Sequence, residues 1–284
     1  MNDLLMSEYF ATPNSLATFT RNRHHIRVLQ TKDPELLLYL VRQQPATLNS
    51  LLHLTFLDRL PYDFVERRLN EASAIKMTFT NFKALVSTLD KATNLRQLTI
   101  NETCFWSKDK DRFLPLTAHL PAATLERLHI SFDQPGQPID ANDSQLVNKL
   151  NQAILNCASH PPLIALKELR ISVDTEHISI PRMAFLARCG SLERVRLDDV
   201  DDWFMRLMPS YFRRFCPRLM SLHLTERFGL EDEVIALMLR SSVSGWKELR
   251  LSRLTEFGLA FEALMESAAT LEILAIDHWE RLDK

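Results

Sequence analysis

The sequence predicts an α/β solenoid, in which short strands and helices alternate along the chain and stack into one parallel sheet. The first observation is a motif, Leu-x-x-Leu-x-Leu, whose clearest copies begin at Leu192, Leu219 and Trp246, each 27 residues after the last (192, 219, 246). The second is that stretches with a helical period separate the copies. This repeat length and pattern is typical of a leucine-rich repeat solenoid (horseshoe), with a parallel concave sheet and helices on the convex side.

Further copies of the motif extend the register in both directions. They are Leu95–Ile100, Leu125–Ile130, Leu166–Ile171 and Leu271–Ile276, with weaker copies at Leu51–Phe56 and Ala72–Met77 and a degenerate first copy at Ile26–Leu29. One unit alone buries only one edge, so the leucines must stack into a continuous core. We therefore expect an N-terminal tail or cap at residues 1–24 and a repeat domain at 25–284, with about eight to ten repeats.

The segments between the copies supply the predicted helices. They are Pro61–Ala72, Phe82–Ala92, Asp143–Ala158, Met205–Phe215, Glu231–Ser241 and Phe261–Ala269. Within Asp143–Ala158, one apolar stripe is expected from Leu146, Leu150, Ile154 and Leu155. Residues 131–143 contain two prolines and a glycine and predict an irregular long loop. A doubly wound α/β domain also alternates strands and helices, but no glycine-rich turn follows a strand here.

Composition and charge narrow the class of partner. The chain has 284 residues, of which 46% are hydrophobic, and a formal net charge of −2. No run reaches the ~18 apolar residues of a membrane span, and no general positive field attracts nucleic acid. The N-terminus has acidic residues where a secretory signal needs a basic start. We expect a cytoplasmic or nuclear protein that binds neither nucleic acid nor membrane.

No set of residues predicts catalysis, a metal or a cofactor. The chain has five glycines and none of the phosphate-binding, nucleophile-elbow or zinc-protease motifs, so we expect no enzyme. Cys189 and Cys216 are 27 residues apart (216 − 189) and could form a metal pair or redox switch, but no further ligands accompany them, and small buried thiols are the favoured interpretation. The cluster Asp198, Asp199, Asp201 and Asp202 lacks the calcium-loop spacing and predicts a solvated turn.

The residue between the last two leucines of each motif forms a row that we call the middle row. Strand side chains alternate, so these residues point away from the core, towards the concave face. The row reads Thr55, Lys76, Thr99, His129, Arg170, Arg196, His223, Arg250 and Ala275. Arg127 and Arg194 flank it, opposed by Glu168 and Glu248. The pattern suggests a groove for an acidic or phosphorylated peptide, while a solvated sheet with local ion pairs is the alternative.

Residues 185–255 resemble the cysteine-containing leucine-rich repeat, whose unit ends in Cys-x-x-Leu-x-x-Leu-x-Leu. Cys216, Leu219, Leu222 and Leu224 match that unit. The chain is thus similar to fungal ribonuclease-inhibitor-like and F-box repeat proteins, in which an F-box docks on the Skp adaptor of a cullin ubiquitin ligase and the repeats hold the substrate. No F-box opening is visible, so Skp docking would require an F-box outside this chain. The resemblance implies substrate recognition for a ligase; a repeat-only scaffold is the alternative.

Overall fold

The structure is a computed structural model that describes residues 4–5, 26–31, 34–56, 81–101, 106–107, 110–111, 113–132, 144–173, 180–200, 202–225, 231–254 and 258–279. The chain divides into two compact units, Met1–Ile130 and Ser131–Lys284. The boundary falls at the predicted start of the irregular loop at 131–143, but Ser131 and Phe132 belong to a strand, so the predicted start is wrong; residues 133–143 lie outside the described part. Residue 4 already belongs to a strand, so the predicted N-terminal tail contributes to the sheet.

In the first unit, parallel strands alternate with helices in chain order. The strands are β1 (Leu4–Leu5), β2 (Val28–Thr31), β3 (His53–Phe56), β4 (Gln97–Asn101), β5 (Trp106–Ser107), β6 (Lys110–Asp111) and β7 (Arg127–Phe132). The helices are α1 (Pro34–Gln43), α2 (Pro45–Asn49), α3 (81–89) and α4 (Phe113–Ala118). The sheet order is β1-β2-β3-β4-β7, and β5 and β6 form a separate antiparallel pair.

The second unit repeats the arrangement with more regular spacing. Its strands are β8 (Glu168–Val173), β9 (Arg194–Asp198), β10 (Ser221–Thr225), β11 (Glu248–Leu254) and β12 (Ile273–Trp279), which lie side by side in that order. Its helices are α5 (Ser144–Ala158), a 3₁₀ helix (Ile180–Arg188), α6 (Asp202–Phe215), α7 (Asp232–Leu239) and α8 (Leu259–Glu266). Each strand from β8 to β12 is parallel to its neighbour.

A recurring backbone contact fixes the register of the repeats. The carbonyl of Lys167 accepts hydrogen bonds from the amides of Glu193 and Arg194, and the carbonyl of Glu193 accepts from Met220 and Ser221. The same two-amide contact recurs at the carbonyls of Met220 and Lys247, and in the first unit at Arg27, Leu52 and Arg96. Each of these carbonyls belongs to the residue immediately before a strand, which is the same place in every motif. The predicted register is therefore confirmed at these strands of both units. The weak copy at Ala72–Met77 and the predicted helix at Pro61–Ala72 lie outside the described residues, and the predicted place of that copy between Leu51–Phe56 and Leu95–Ile100 is wrong, because β3 pairs directly with β4.

The leucines of the motif form the core, as their spacing predicts. Leu192, Leu219 and Trp246 have no exposed surface, and neither have Leu166 and Leu222. Strand burial alternates, so the intervening residues of β8 lie on the opposite, partly exposed face. Trp246 replaces a leucine and also donates its indole N–H to the carbonyl of Leu239. The predicted α/β solenoid arrangement is thus present in each unit.

Contacts between consecutive repeats also fix the helices. Asp232, the first residue of α7, accepts hydrogen bonds at 2.9, 2.6 and 2.8 Å from the amides of Gly258, Leu259 and Ala260, where α8 begins. Unpaired amides at a helix start need acceptors, and a carboxylate also suits the positive end of the helix dipole. Asp232 therefore caps the helix of the next repeat and not its own.

Two helical details differ from the sequence prediction. Leu155, placed on the apolar stripe of α5, is 65% exposed, while Ala153 and Cys157 are buried in its place. The 3₁₀ helix at Ile180–Arg188 was not predicted, because its nine residues carry apolar side chains on several sides and give no single stripe. Among the described residues, every helix is too short or too polar to cross a membrane.

Candidate functional site

The middle row of the second unit is a continuous line of side chains across four neighbouring strands. Arg170 on β8 lies opposite Arg196 on β9, and His223 on β10 lies opposite both Arg196 and Arg250 on β11. The line ends at Ala275 on β12. We name the four residues Arg170, Arg196, His223 and Arg250 the basic row. The predicted alignment of these residues is confirmed by the strand register.

Asp198 holds the first two arginines of the basic row. Its carboxylate accepts a hydrogen bond from Nε of Arg170 at 2.7 Å and from Nε of Arg196 at 2.8 Å. Ser172 Oγ also lies 3.3 Å from the carboxylate. Asp198 follows Arg196 by two residues on β9, so its side chain points to the same face of the sheet. One carboxylate therefore orients an arginine of its own strand and an arginine of the neighbouring strand.

Asp198 is itself almost buried, with 7% of its surface exposed. Burial alone would raise the pKa of this carboxyl, but the hydrogen bonds from Arg196 and Arg170 outweigh it and hold the pKa below the usual range. The predicted solvated turn is therefore wrong for Asp198, which is a strand residue beneath two guanidinium groups. Asp199, next in the chain, has a positive φ of 57° and begins the turn.

Arg250 at the other end of the basic row is held by Glu248 of its own strand. Nε of Arg250 donates to Glu248 at 2.7 Å, and Ser221 Oγ donates to the same carboxylate at 3.0 Å. The hydrogen bond from Arg250 lowers the pKa of Glu248, although burial opposes it. Glu248 therefore remains ionised and fixes the direction of the Arg250 side chain.

A second ion pair lies two residues earlier on the strands. Arg194 on β9 is opposite Glu168 on β8, and its guanidinium is 3.4 Å from the carboxylate. The predicted opposition of Arg194 by Glu168 is thus present. This pair is about 40% exposed, at 45% and 38% for the two side chains, so water screens much of its attraction.

The terminal nitrogens of three arginines remain available for a ligand. Arg170, Arg196 and Arg250 each use Nε for the internal carboxylate, and no described residue accepts a hydrogen bond from their terminal NH₂ groups. Their side chains are 40%, 39% and 48% exposed. A guanidinium carries five donors in a planar fork, of which Nε supplies one. Each of these arginines is therefore fixed at Nε by an internal contact, while its side chain remains partly exposed.

His223 lies between Arg196 and Arg250 and is partly buried. Burial lowers the pKa of the imidazole, and the charges of Arg196 and Arg250 lower it further, while Asp198 and Glu248 act in the opposite direction. The imidazole is therefore predominantly neutral at neutral pH. It is the one member of the basic row whose charge can change near physiological pH.

The first unit carries different chemistry at the equivalent positions. Gln30, Thr55 and Thr99 lie opposite one another on β2, β3 and β4. His129 occupies the position on β7 and is half-buried, and Arg127 beside it is exposed. Lys76 lies outside the described residues, and the row passes directly from Thr55 to Thr99 because β3 pairs with β4. In the described part of the chain, the arginines of the middle row all belong to the second unit.

The three cysteines that the structure describes lie away from this face, in the core. Cys157, Cys189 and Cys216 are buried free thiols. Burial raises the pKa of Cys216 to about 12, and burial followed by the nearby charge of Cys216 raises the pKa of Cys189 well above its ordinary value. A protonated thiol is a poor nucleophile and metal ligand. Within the described residues, no group of three or more acidic, histidine or cysteine side chains is arranged to hold a metal ion.

The sequence identified the basic row but not the carboxylate that organises it. Asp198 was interpreted as part of an acidic cluster in a solvated turn. Its distance of two residues from Arg196 was the available signal, because residues i and i+2 share a face of a strand. Comparison with known proteins adds no assignment: no family model matches the chain, and no curated protein matches it.

Proposed function

We propose that this chain is a non-catalytic recognition module whose basic row binds an acidic or phosphorylated peptide. The observation that carries the proposal is the anchoring of Arg170, Arg196 and Arg250. Each is held through Nε by Asp198 or Glu248, while its side chain remains partly exposed and its terminal nitrogens have no acceptor among the described residues. Arginine forks match the geometry of carboxylate and phosphate groups, so a row of them suits an extended anionic ligand.

The contacts that hold the arginine side chains in place lower the entropy cost of binding a ligand. A flexible surface arginine loses side-chain entropy when it grips a ligand, whereas an arginine already fixed by a carboxylate has lost part of that freedom on folding. The same carboxylates also separate like charges: stacked strands lie ~4.8 Å apart, and adjacent arginines would otherwise repel one another. Asp198 and Glu248 therefore support the binding interpretation, because they hold the forks apart and in place.

The charge balance sets the kind of ligand. The basic row is not a bare positive patch, since Asp198, Glu248 and Glu168 lie among its arginines. A diffuse polyanion would meet these carboxylates as well as the arginines. A peptide with acidic groups at discrete positions can place each charge on one fork and avoid the carboxylates. This arrangement favours a short acidic or phosphorylated segment.

The test is capture from a peptide library that includes acidic and phosphoserine-containing members. Immobilised parent chain is compared with a triple variant, Arg170→Ala, Arg196→Ala and Arg250→Ala. Each lost charge-assisted contact is worth roughly 1.5–3 kcal/mol, so the triple variant is expected to lose the peptides that the parent retains. Adding salt to the parent should weaken capture in the same direction, because exposed charges are screened over ~8 Å at physiological ionic strength.

The matched control is a triple change of exposed arginines in the helices and loops of the same unit, Arg213→Ala, Arg218→Ala and Arg240→Ala. It removes the same net charge and should retain the peptides. A parent chain that selects no acidic or phosphorylated peptide contradicts the proposal. So does equal capture by the parent and the basic-row variant.

The resemblance to F-box repeat proteins supports a more specific version, in which the bound peptide belongs to a substrate of a cullin-type ubiquitin ligase. The alternative is a scaffold without a ligase link that holds two or more proteins. A pull-down probed for the Skp-type adaptor and the cullin separates them. Recovery of both supports the ligase version, and their consistent absence from the full-length protein supports the scaffold.

A further inference from the structure

We propose that the centre of the basic row is a subsite for a tetrahedral dianion, namely a phosphate group on a peptide, held between Arg196 and Arg250 with His223 taking up a proton. The inference rests on the proposed function and deepens it. The subsite would bind a phosphate in preference to a carboxylate, and its affinity would depend on pH. The first unit, with Thr55 and Thr99 at the equivalent places, lacks such a subsite in its described strands.

The geometry is set by three neighbouring strands. Arg196 and Arg250 lie opposite His223 on either side, two strand spacings apart. Two spacings are about 9–10 Å between backbones. A tetrahedral anion with a hydrogen bond of about 2.8 Å on either side spans roughly 8 Å. The separation of the two strands is therefore of the size that one such anion needs to bridge the side chains of Arg196 and Arg250.

The number of donors favours a phosphate. Arg196 and Arg250 each keep their terminal nitrogens for a ligand, and a protonated imidazole adds a further N–H. A carboxylate has two oxygens and one negative charge, which a single arginine fork satisfies. A phosphate group has three accessible oxygens and a charge of about −1.5 to −2 near pH 7. Of the two groups, only the phosphate has enough acceptor oxygens and enough negative charge to bind two arginine side chains and a protonated histidine.

The groups that face His223 fix the direction of the pH effect. On β9 these are Arg196 and Asp198, and on β11 they are Arg250 and Glu248; Arg194 lies two residues before Arg196 on β9. The rest of β10 is serine, leucine and threonine. The two arginines disfavour the imidazolium in the empty site. A bound dianion screens that repulsion and supplies an acceptor, so it raises the histidine pKa, and by linkage binding strengthens as pH falls.

The inference is tested by NMR with inorganic sulfate as the probe. Sulfate stays a dianion across the relevant range, whereas the second pKa of a phosphate group, about 6, would add its own titration. The chain carries nine histidines, so the ring signal of His223 is assigned by its loss in His223→Gln. The signal is titrated with acid at zero and at saturating sulfate. His160, which is partly exposed and lies two residues beyond the end of α5, is the internal control.

Sulfate is expected to raise the pKa of His223, and at fixed pH it should leave the ring signal of His160 in place. The affinity for sulfate should increase as pH falls, by at most about tenfold per pH unit, the limit for uptake of one proton. His223→Gln should bind sulfate with no such pH dependence, and Arg196→Ala or Arg250→Ala should remove the shift. A phosphoserine peptide should show the same linkage at higher affinity than sulfate, and its glutamate analogue should not show it.

Two results overturn the inference and leave different consequences. If sulfate perturbs the arginine Nε signals while the pKa of His223 stays constant, the histidine is not linked to binding, although recognition of acidic peptides by the arginines still stands. If phosphoserine and glutamate peptides bind equally and with the same pH dependence, the site does not select a dianion. A parent chain that captures no acidic or phosphorylated peptide, by contrast, would contradict the proposed function itself.

Discussion

Replacing Asp198 by asparagine tests the arrangement on which the site depends. The carboxylate is 7% exposed and accepts hydrogen bonds from Nε of Arg170 at 2.7 Å and of Arg196 at 2.8 Å. Asparagine has the same shape but no charge, and it replaces one acceptor oxygen by an NH₂ group, which cannot accept from a guanidinium. Two guanidinium groups on neighbouring strands would then lack their shared counter-charge.

The size of the effect follows from the exposure of the partners. A charge-assisted hydrogen bond contributes about 1.5–3 kcal/mol, and breaking a fully buried ion pair costs about 3–5 kcal/mol. The two arginines are 40% and 39% exposed, so water recovers part of the loss. We expect the free energy of unfolding to fall by about 2–3 kcal/mol, which lowers Tm by roughly 4–12 °C in a unit of this size.

The pH dependence of Tm gives a second, independent test of the role of Asp198. The pKa of Asp198 is lowered in the folded protein, so its stabilising effect is complete above the ordinary aspartate pKa and is lost as pH falls through the folded pKa. Asparagine does not titrate. The difference in Tm between the parent and Asp198→Asn, followed by circular dichroism, should therefore be largest at neutral pH and should narrow as pH falls below about 4.

The control is Glu272→Gln, which breaks an exposed ion pair. Glu272 lies 3.3 Å from Lys247 and is 67% exposed. Such pairs contribute about 0–1 kcal/mol, so little change in Tm is expected. A Tm of Asp198→Asn equal to that of the parent at neutral pH would refute the reasoning, because the carboxylate would then not hold the two arginines.

Three further changes test the fold. Leu222→Asp places a carboxylate at a position with no exposed surface and should lower the free energy of unfolding by several kcal/mol. Leu237→Asp, at a 39% exposed position, is the control and should lower it little. Equal melting curves for the two variants would show that the core register is wrong. Asp232→Ala removes the acceptor for three amides of α8 and should lower stability by about 1–2 kcal/mol in urea unfolding, with an unchanged midpoint arguing against the cap. Gly245→Ala should lower Tm, because Gly245 has a φ of +79° and an added Cβ would lie 2.5 Å from Oγ1 of Thr270. An unchanged Tm would mean that the backbone of this turn adjusts without strain.

The repeat motif carried most of the fold information. A leucine at every second or third position fixes which residues of a strand face the core, and the same interval fixes which strands are neighbours. The strands at Glu168–Val173, Arg194–Asp198 and Ser221–Thr225 therefore lie where the motif predicts them. The alignment of Arg170, Arg196, His223 and Arg250 follows directly, because residues at equal places in successive motifs lie opposite each other.

Features that depend on three-dimensional neighbours were not predictable in this way. Leu155 looked like part of an apolar stripe, but which face of α5 is covered depends on the 3₁₀ helix beside it, and the core there takes Ala153 and Cys157. The contact of Asp198 with Arg170 depends on the side-chain conformation of a residue 28 positions away. A motif gives positions on a sheet, whereas side-chain conformations follow from packing and charge around each position.

The most direct test of the binding account is a crystal structure of the chain with a phosphoserine peptide selected from the library. The account predicts phosphate oxygens at hydrogen-bond distance, about 2.7–2.9 Å, from the terminal nitrogens of Arg196 and Arg250, with the imidazole of His223 beside them. Asp198 and Glu248 should keep their contacts with Nε. A phosphate bound on the helical layer, with the basic row still surrounded by water, would contradict the account.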